Sequence, residues 1–241
     1  MTYHTTLFVI PARGGSKGVP KKNTKILAGL PLVLHSLAYA RLFVPDEQIC
    51  ISTDDKDVLD LAKKEGYDAP FIRPEELARD TTSTFDVLKH ALRFYAEKGK
   101  YWENVVLLQP TSPFRLKSHL EEMVASFQKG ADVIVSVTES KNSPYFNLFE
   151  ENTKGFLHVS KTLGNITRRQ DCPPTYVFNG SLYLFRATSL QKANGFVDFS
   201  SIQKYTMASR FSVDLDTPKD FLLAQWLWEN QDEQEPLWDW K

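Results

Sequence analysis

Phe8-Val-Ile-Pro-Ala-Arg-Gly-Gly-Ser-Lys-Gly-Val-Pro-Lys-Lys-Asn23 carries the chain from an apolar strand into a basic loop. Leu7 to Ile10 is a short, β-branched apolar run of the kind that forms a buried strand. The loop that follows holds glycines at 14, 15 and 18 and the cations Arg13, Lys17, Lys21 and Lys22. Glycine lets a backbone come close to a ligand and turn its N–H groups inward. Cations this close repel one another unless an anion lies among them. A triphosphate, with roughly four negative charges, would offset that repulsion. Taken alone, the loop also reads as a solvated basic turn. It matches neither Gly-x-x-x-x-Gly-Lys-Ser/Thr nor Gly-x-Gly-x-x-Gly, and Pro20 stops a helix from starting at Gly18. Loop N–H groups, lysine and arginine would therefore hold phosphates, rather than a helix N-terminus.

Beyond the loop, residues 31–42 have helical spacing, with Leu32, His35, Ala38 and Leu42 near one face, and His35 reads as a packing residue. Residues 48–53 form a second strand that ends in Ser-Thr-Asp-Asp. Strand, helix and strand in succession make a βαβ unit and a parallel sheet. Asp54 and Asp55 are expected to cap a helix over 58–64. A short strand over 70–72 is possible. Residues 85–97 are an amphipathic helix, 105–108 a buried strand, 116–128 a helix and 132–137 a strand. The pattern is an open α/β sheet with helices on both faces. Its ligands bind beyond the carboxyl ends of the strands, where 11–23, 53–55 and 109–113 all fall.

From 141 to 174 the periodicity weakens and polar residues dominate, over a length too great for a simple connection. This reads as a lid or as a reach over a partner subunit, and it contains a second cation cluster, Thr167-Arg-Arg-Gln170. A strand over 181–186, a short helix over 190–194, a strand over 210–214 and a helix over 219–230 complete the pattern. The organisation is an α/β domain from 1–140 and 176–230, an inserted segment at 141–175, and a tail at 231–241. The tail is expected to be loosely held, with some docking by its tryptophans.

Asp214-Leu-Asp216 is the second chemical element. On a strand, residues i and i+2 share a face, so both carboxylates could reach one site. Two hard oxygens, completed by phosphate and water, suit Mg²⁺. Thr217-Pro-Lys-Asp220 supplies its own N-cap, first-turn proline and acidic third position, which leaves Asp216 free of that duty.

Composition narrows the classes. The chain has 241 residues, 42% hydrophobic and 24% charged, with net charge −1, an ordinary globular balance without the basic excess of a nucleic-acid binder. Cys50 and Cys172 make neither a disulfide framework nor a zinc spacing. No apolar run is long enough to span a bilayer, and the N-terminus lacks the pattern of a signal peptide. The expected location is cytoplasmic.

Ala12-Arg-Gly-Gly-Ser-Lys-Gly-Val-Pro-Lys-Lys-Asn23 resembles the CTP-binding signature of CMP-sialic acid synthetases, the acylneuraminate cytidylyltransferases. Ile51-Ser-Thr-Asp54, Arg73-Pro-Glu-Glu-Leu-Ala78, Asp80-Thr-Thr-Ser83, Leu108-Gln-Pro-Thr-Ser-Pro113, Asn179-Gly180 and Asp214-Leu-Asp216 resemble further family motifs in the family's order. The resemblance implies a Rossmann-like nucleotidyltransferase sheet. It implies transfer of CMP from CTP to the anomeric hydroxyl of a nine-carbon 2-keto-3-deoxy sugar acid, with release of pyrophosphate. By that pattern Arg13, Lys22 and Asp216 are catalytic, and Ala12, Arg13, Ser16, Lys17, Lys22, Asn23, Arg73, Thr82 and Thr84 bind the nucleotide. Gln109, Arg169, Tyr176 and Asn179 face the sugar. Asp214 and Asp216 hold Mg²⁺, and 141–175 projects into the partner of a homodimer. The sequence departs from the family at Val177, where an arginine is familiar, and at Thr82 and Thr84, where alanine and serine are. The missing arginine leaves legionaminate-, pseudaminate- and KDN-type acceptors open. A KDO-type acid as acceptor and a non-catalytic nucleotide-binding module stay open as well.

Overall fold

The computed structural model describes residues 3–164, 166–232 and 236–238. Strand β1 (Thr6–Pro11) is the axis of the molecule. Its side chains alternate between two apolar layers. Phe8 and Ile10 enter one core, while Leu7 and Val9 enter the other. A strand buried on both faces needs a continuous apolar run, which is why Leu7–Ile10 carries no polar residue. After the loop, a small hairpin of β2 (Ile26–Leu27) and β3 (Leu30–Pro31) leads into α1 (Leu32–Arg41). β4 (Ile49–Ser52) then pairs parallel to β1 on one flank. α2 (Lys56–Lys64) and α3 (Thr84–Glu97) follow, and β5 (Asn104–Leu108) pairs parallel to β1 on the other flank. The strand order thus reverses beside β1, and the basic loop leaves its carboxyl end at that switch point, where α/β sheets bind ligands.

The second half is α4 (Lys117–Ser126), β6 (Val133–Glu139), a separate hairpin of β7 (Phe149–Glu151) and β8 (Leu157–Val159), β9 (Tyr176–Arg186), α5 (Ala187–Lys192), β10 (Ile202–Thr206) and α6 (Pro218–Glu229). The main sheet runs β10-β6-β9-β5-β1-β4. Only β9 is antiparallel to its neighbours. The expected open, mostly parallel sheet is therefore present, with one reversed strand wedged into it. α1, α2, α4 and α6 pack on the Phe8 face, and α3 and α5 on the Leu7 face.

Two expectations fail. Residues 210–214 form no strand, and neither do 70–72. Instead, a tight turn (Ser209–Phe211) buries Phe211 against the His119 ring, with centroids 4.5 Å apart. The Leu215 N–H then donates 2.8 Å to the Thr111 carbonyl, so the chain is pinned to the loop after β5 rather than to a ladder. One edge of the sheet is β10, whose alternating Ile-Gln-Lys-Tyr-Thr is half polar because one side faces solvent. In the tail, Leu237 and Trp238 are buried, and Trp238 stacks on Trp228 at 4.5 Å. Trp240 lies outside the described residues.

Candidate active site

The loop 12–23 is shaped from beneath. The Ala12 N–H donates to the Ser52 carbonyl, and the Thr53 hydroxyl donates to the Ala12 carbonyl. The Asp54 carboxylate accepts the Gly14 N–H at 2.9 Å. Buried Asn23 donates its amide to the Arg13 carbonyl at 2.9 Å and closes the loop on itself. Asp55, as expected, caps α2 by accepting the Asp57 N–H. Asp54 is not a second cap but a tether for the loop.

Gly18 decides how close the two halves of the site come. A Cβ placed there would lie 2.2 Å from the main-chain oxygen of Asp216, so no larger residue fits without moving the backbone. Lys22 Nζ meets Asp216 Oδ1 at 2.9 Å across the same gap. Asp214 and Asp216 flank buried Leu215 on a stretch that is not a strand, and of the two only Asp216 lines the cleft described next. The capping box of α6 fixes their exit. The Asp220 carboxylate accepts the N–H groups of Asp216 at 3.0 Å and Thr217 at 2.6 Å.

These elements enclose a cleft of about 450 Å³. Arg13, Ser16, Lys17, Gly18, Lys22 and Asn23 line it from the loop, Arg73, Arg79, Thr82 and Thr84 from the segment before and into α3, and Gln109, Pro110 and Thr111 from the loop after β5. Asp216 closes the remaining side. Of the residues expected at a nucleotide site, Arg13, Ser16, Lys17, Lys22, Asn23, Arg73, Thr82 and Thr84 are brought together there. Ala12 lies beneath them, fully buried. Lys21 turns away to pair with Asp57 at 2.7 Å. Its backbone is left-handed, with φ 54°, which directs the side chain out of the cluster.

The charges inside are answered locally. Asp80 takes both Arg13, at 2.6 Å, and Lys17. Arg73 is buried, donates Nε to the Ser52 hydroxyl at 3.0 Å and its Nη2 to the Ser52 carbonyl, and burial pushes its pKa down to about 10. Crowding by protein pushes the Asp214 carboxyl above the usual carboxylate range; a bond from Thr111 opposes this, and the Asp216 charge adds to it.

Of the residues expected to face a sugar, only Gln109 lines this cleft. Asn179 is buried, and its amide is satisfied inside the protein. Its Oδ1 accepts the Ser136 hydroxyl at 2.6 Å, and its Nδ2 donates to the Ser212 hydroxyl at 3.1 Å. Tyr176 begins β9 with Lys204 Nζ 3.8 Å above its ring. Arg169 lies in a short exposed turn (Arg169–Asp171) of the inserted segment.

Two contributors escaped the sequence reading. Arg79 lines the cleft. Arg115 is fully buried and ties three elements together, donating to the Gln109 carbonyl, to Ser181 on β9 and to Ser36 on α1 at 3.0 Å. An arginine directly after Thr-Ser-Pro-Phe, in a loop leaving a central strand, is the signal that could have drawn notice to Arg115.

Residues 7–231 match the family model described as Cytidylyltransferase. The chain is 32% identical over 223 residues to a CMP-N,N'-diacetyllegionaminic acid synthase of Legionella pneumophila, with 92% of this chain and 96% of that protein covered. It is also 32% identical over 218 residues to an N-acylneuraminate cytidylyltransferase of Streptococcus agalactiae, covering 89% of this chain but 51% of that longer protein. Among solved structures it superposes on a CMP:2-keto-3-deoxy-manno-octonic acid synthetase complexed with CTP, with a TM-score of 0.65, 17% identity, and 95% of this chain and all of that one covered. That likeness is one of fold.

Proposed function

The chain belongs to the cytidylyltransferase family, and from that membership we propose that it joins CMP from CTP to the anomeric hydroxyl of a nine-carbon, sialic-acid-like keto-deoxy acid. The carrying observation is that the basic loop and Asp216 face each other across one cleft, in contact at Gly18 and through Lys22. In the reaction, the sugar oxygen attacks the α-phosphorus, the bond to the bridging oxygen breaks, and pyrophosphate leaves with the electron pair. Such a transfer asks for positioning and charge neutralisation more than covalent chemistry. Arg13, Lys17 and Lys22 neutralise charge developing on the leaving pyrophosphate. Asn23, Arg73, Thr82 and Thr84 bound the side of the cleft for the nucleoside, and Gln109 borders the acceptor side. Asp216 receives the proton of the attacking hydroxyl.

Asp214 and Asp216 fit a Mg²⁺ ion. Burial, and after it the neighbouring Asp216 charge, hold the Asp214 carboxyl above its usual range, and a bound cation would offset both. Among the described residues no group of three or more His, Cys, Asp and Glu gathers, so phosphate oxygens and water would complete the ligands. When bound, the ion would supply charge stabilisation at the α-phosphate.

N,N'-diacetyllegionaminate is the first acceptor to test, because a relative of matching length bears that name. The inserted segment presents Leu148, Phe149, Phe156, Leu157 and Leu163 as exposed apolar residues, which supports its role as the contact of a homodimer.

The test is pyrophosphate release by the purified protein, measured with CTP, UTP, GTP and ATP against N-acetylneuraminate, N,N'-diacetyllegionaminate, pseudaminate, KDN and an eight-carbon keto-deoxy acid. CTP with one of the nine-carbon acids should dominate. Preference for UTP or GTP with a sugar phosphate would overturn the reading.

A further inference from the structure

We propose that Asp80 is a placeholder carboxylate that competes with the triphosphate for Arg13 and Lys17, and so sets how readily pyrophosphate leaves. This rests on the functional reading above. Asp80 bridges both cations, one carboxylate oxygen to each, with Arg13 Nη1 at 2.6 Å. Both cations line the cleft. Asp80 is held in place by its neighbours. The Thr82 N–H donates to the Arg79 carbonyl at 3.1 Å, and the Thr82 hydroxyl donates to the Glu76 carbonyl at 3.1 Å. Arg79 and Thr82, on either side of it, also line the cleft. The carboxylate therefore sits at the lip of the phosphate side on a fixed turn, rather than on a loose surface loop.

The donors that Asp80 occupies are the ones a triphosphate would use. The pairs are cheap to break, because the Lys17 side chain is 81% exposed and that of Asp80 is 39% exposed. A ligand carrying several negative charges displaces one carboxylate without difficulty, yet the displaced carboxylate stays close and repels it. The effect falls on anything bound there, substrate and leaving group alike. Asp80 thus lowers affinity for CTP and pyrophosphate together, and re-forms its pairs as pyrophosphate departs.

The experiment is calorimetric titration of CTP and of pyrophosphate, with Mg²⁺ present, into the wild type, Asp80→Asn, Lys17→Ala and the double variant, at low ionic strength. Asp80→Asn should bind both ligands about two- to fivefold more tightly, the scale of an exposed charge pair. In the Lys17→Ala background the share of that gain that runs through Lys17 should vanish and the share that runs through Arg13 should remain, which a general structural effect of Asp80 would not produce. Circular dichroism establishes that each variant is folded. Unchanged or weaker binding of both ligands by folded Asp80→Asn would overturn the proposal and leave the functional reading standing. A folded wild type that binds neither CTP nor pyrophosphate would overturn both.

Discussion

Gly18 shows how much one missing methyl group can decide. Its Cα packs on the Asp216 main chain, so Gly18→Ala must drive the basic loop and the Asp214–Asp216 segment apart. Displacement on the scale of an ångström at a transfer site costs about a hundredfold in rate. Gly18→Ala should lower kcat/KM at least that far while Tm changes little, and a variant within threefold of wild type would refute the close-approach account. Asp214 makes a different prediction. Crowding holds its carboxyl above the usual range, so the folded state binds its proton more tightly than the unfolded chain does. Stability then falls as pH rises through the interval between the unfolded and folded pKa values, and ionised Asp214 is a burden at neutral pH. Asp214→Asn should raise Tm at neutral pH, with the gain fading in acid, while turnover is lost by more than tenfold. Thermal scans across pH, paired with the pyrophosphate assay, test both halves. Asn179, by contrast, was expected at the sugar and is satisfied inside the protein, a placement that depends on partners distant in the chain.

At the scale of elements, α6 begins where the chemistry ends. The Asp220 carboxylate accepts three donors, the N–H groups of Asp216 and Thr217 and the Thr217 hydroxyl. One acidic residue therefore both starts a helix and aims the carboxylate before it. Asp220→Ala should cost about 1 kcal/mol as a lost cap. It should also depress kcat, because Asp216 loses its anchor. If stability falls with kcat intact, the capping box serves only the helix. Burial raises the Asp220 carboxyl, but the Thr217 and Asp216 donors outweigh it and leave the group low. Its stabilisation is present above the unfolded carboxylate range and is lost as pH falls through the folded value. The box was legible in Thr217-Pro-Lys-Asp220, since both halves of it lie within one turn. The edge strand β10 was not, because a solvent-facing edge carries polar residues that blur its period.

Across the whole molecule, the tail is held more firmly than a loose end, through the tryptophan docking that its sequence suggests. Trp238 lies 4.6 Å from the His35 ring, 4.5 Å from Trp228 and 5.3 Å from Phe114, bridging α1, α6 and the loop before α4. Trp238→Ala should cost about 3 kcal/mol, readable in urea unfolding, and an effect below 1 kcal/mol would mean that the tail merely rests there. The inserted segment forms its own β7–β8 hairpin with exposed phenylalanines. The proposed homodimer predicts that the wild type scatters light as a dimer and that replacing Phe149 and Phe156 by serine shifts it to monomer; a monomeric wild type would overturn the dimer itself. If the dimer persists, the contact lies elsewhere.

What the sequence determined by itself was whatever depends on near neighbours. The apolar run of β1, the helix faces, the capping box and the glycine- and lysine-rich loop are set by spacing along the chain, and they sufficed for an α/β sheet with a basic glycine loop at a strand end. What depends on distant partners emerges only in the folded chain. Folding placed Gly18 against Asp216, paired Asp80 with Arg13 and Lys17, buried Arg115 among three elements and reversed β9. Each of these joins residues far apart in sequence, and no local pattern encodes such a contact, because its energy exists only once the intervening chain has folded.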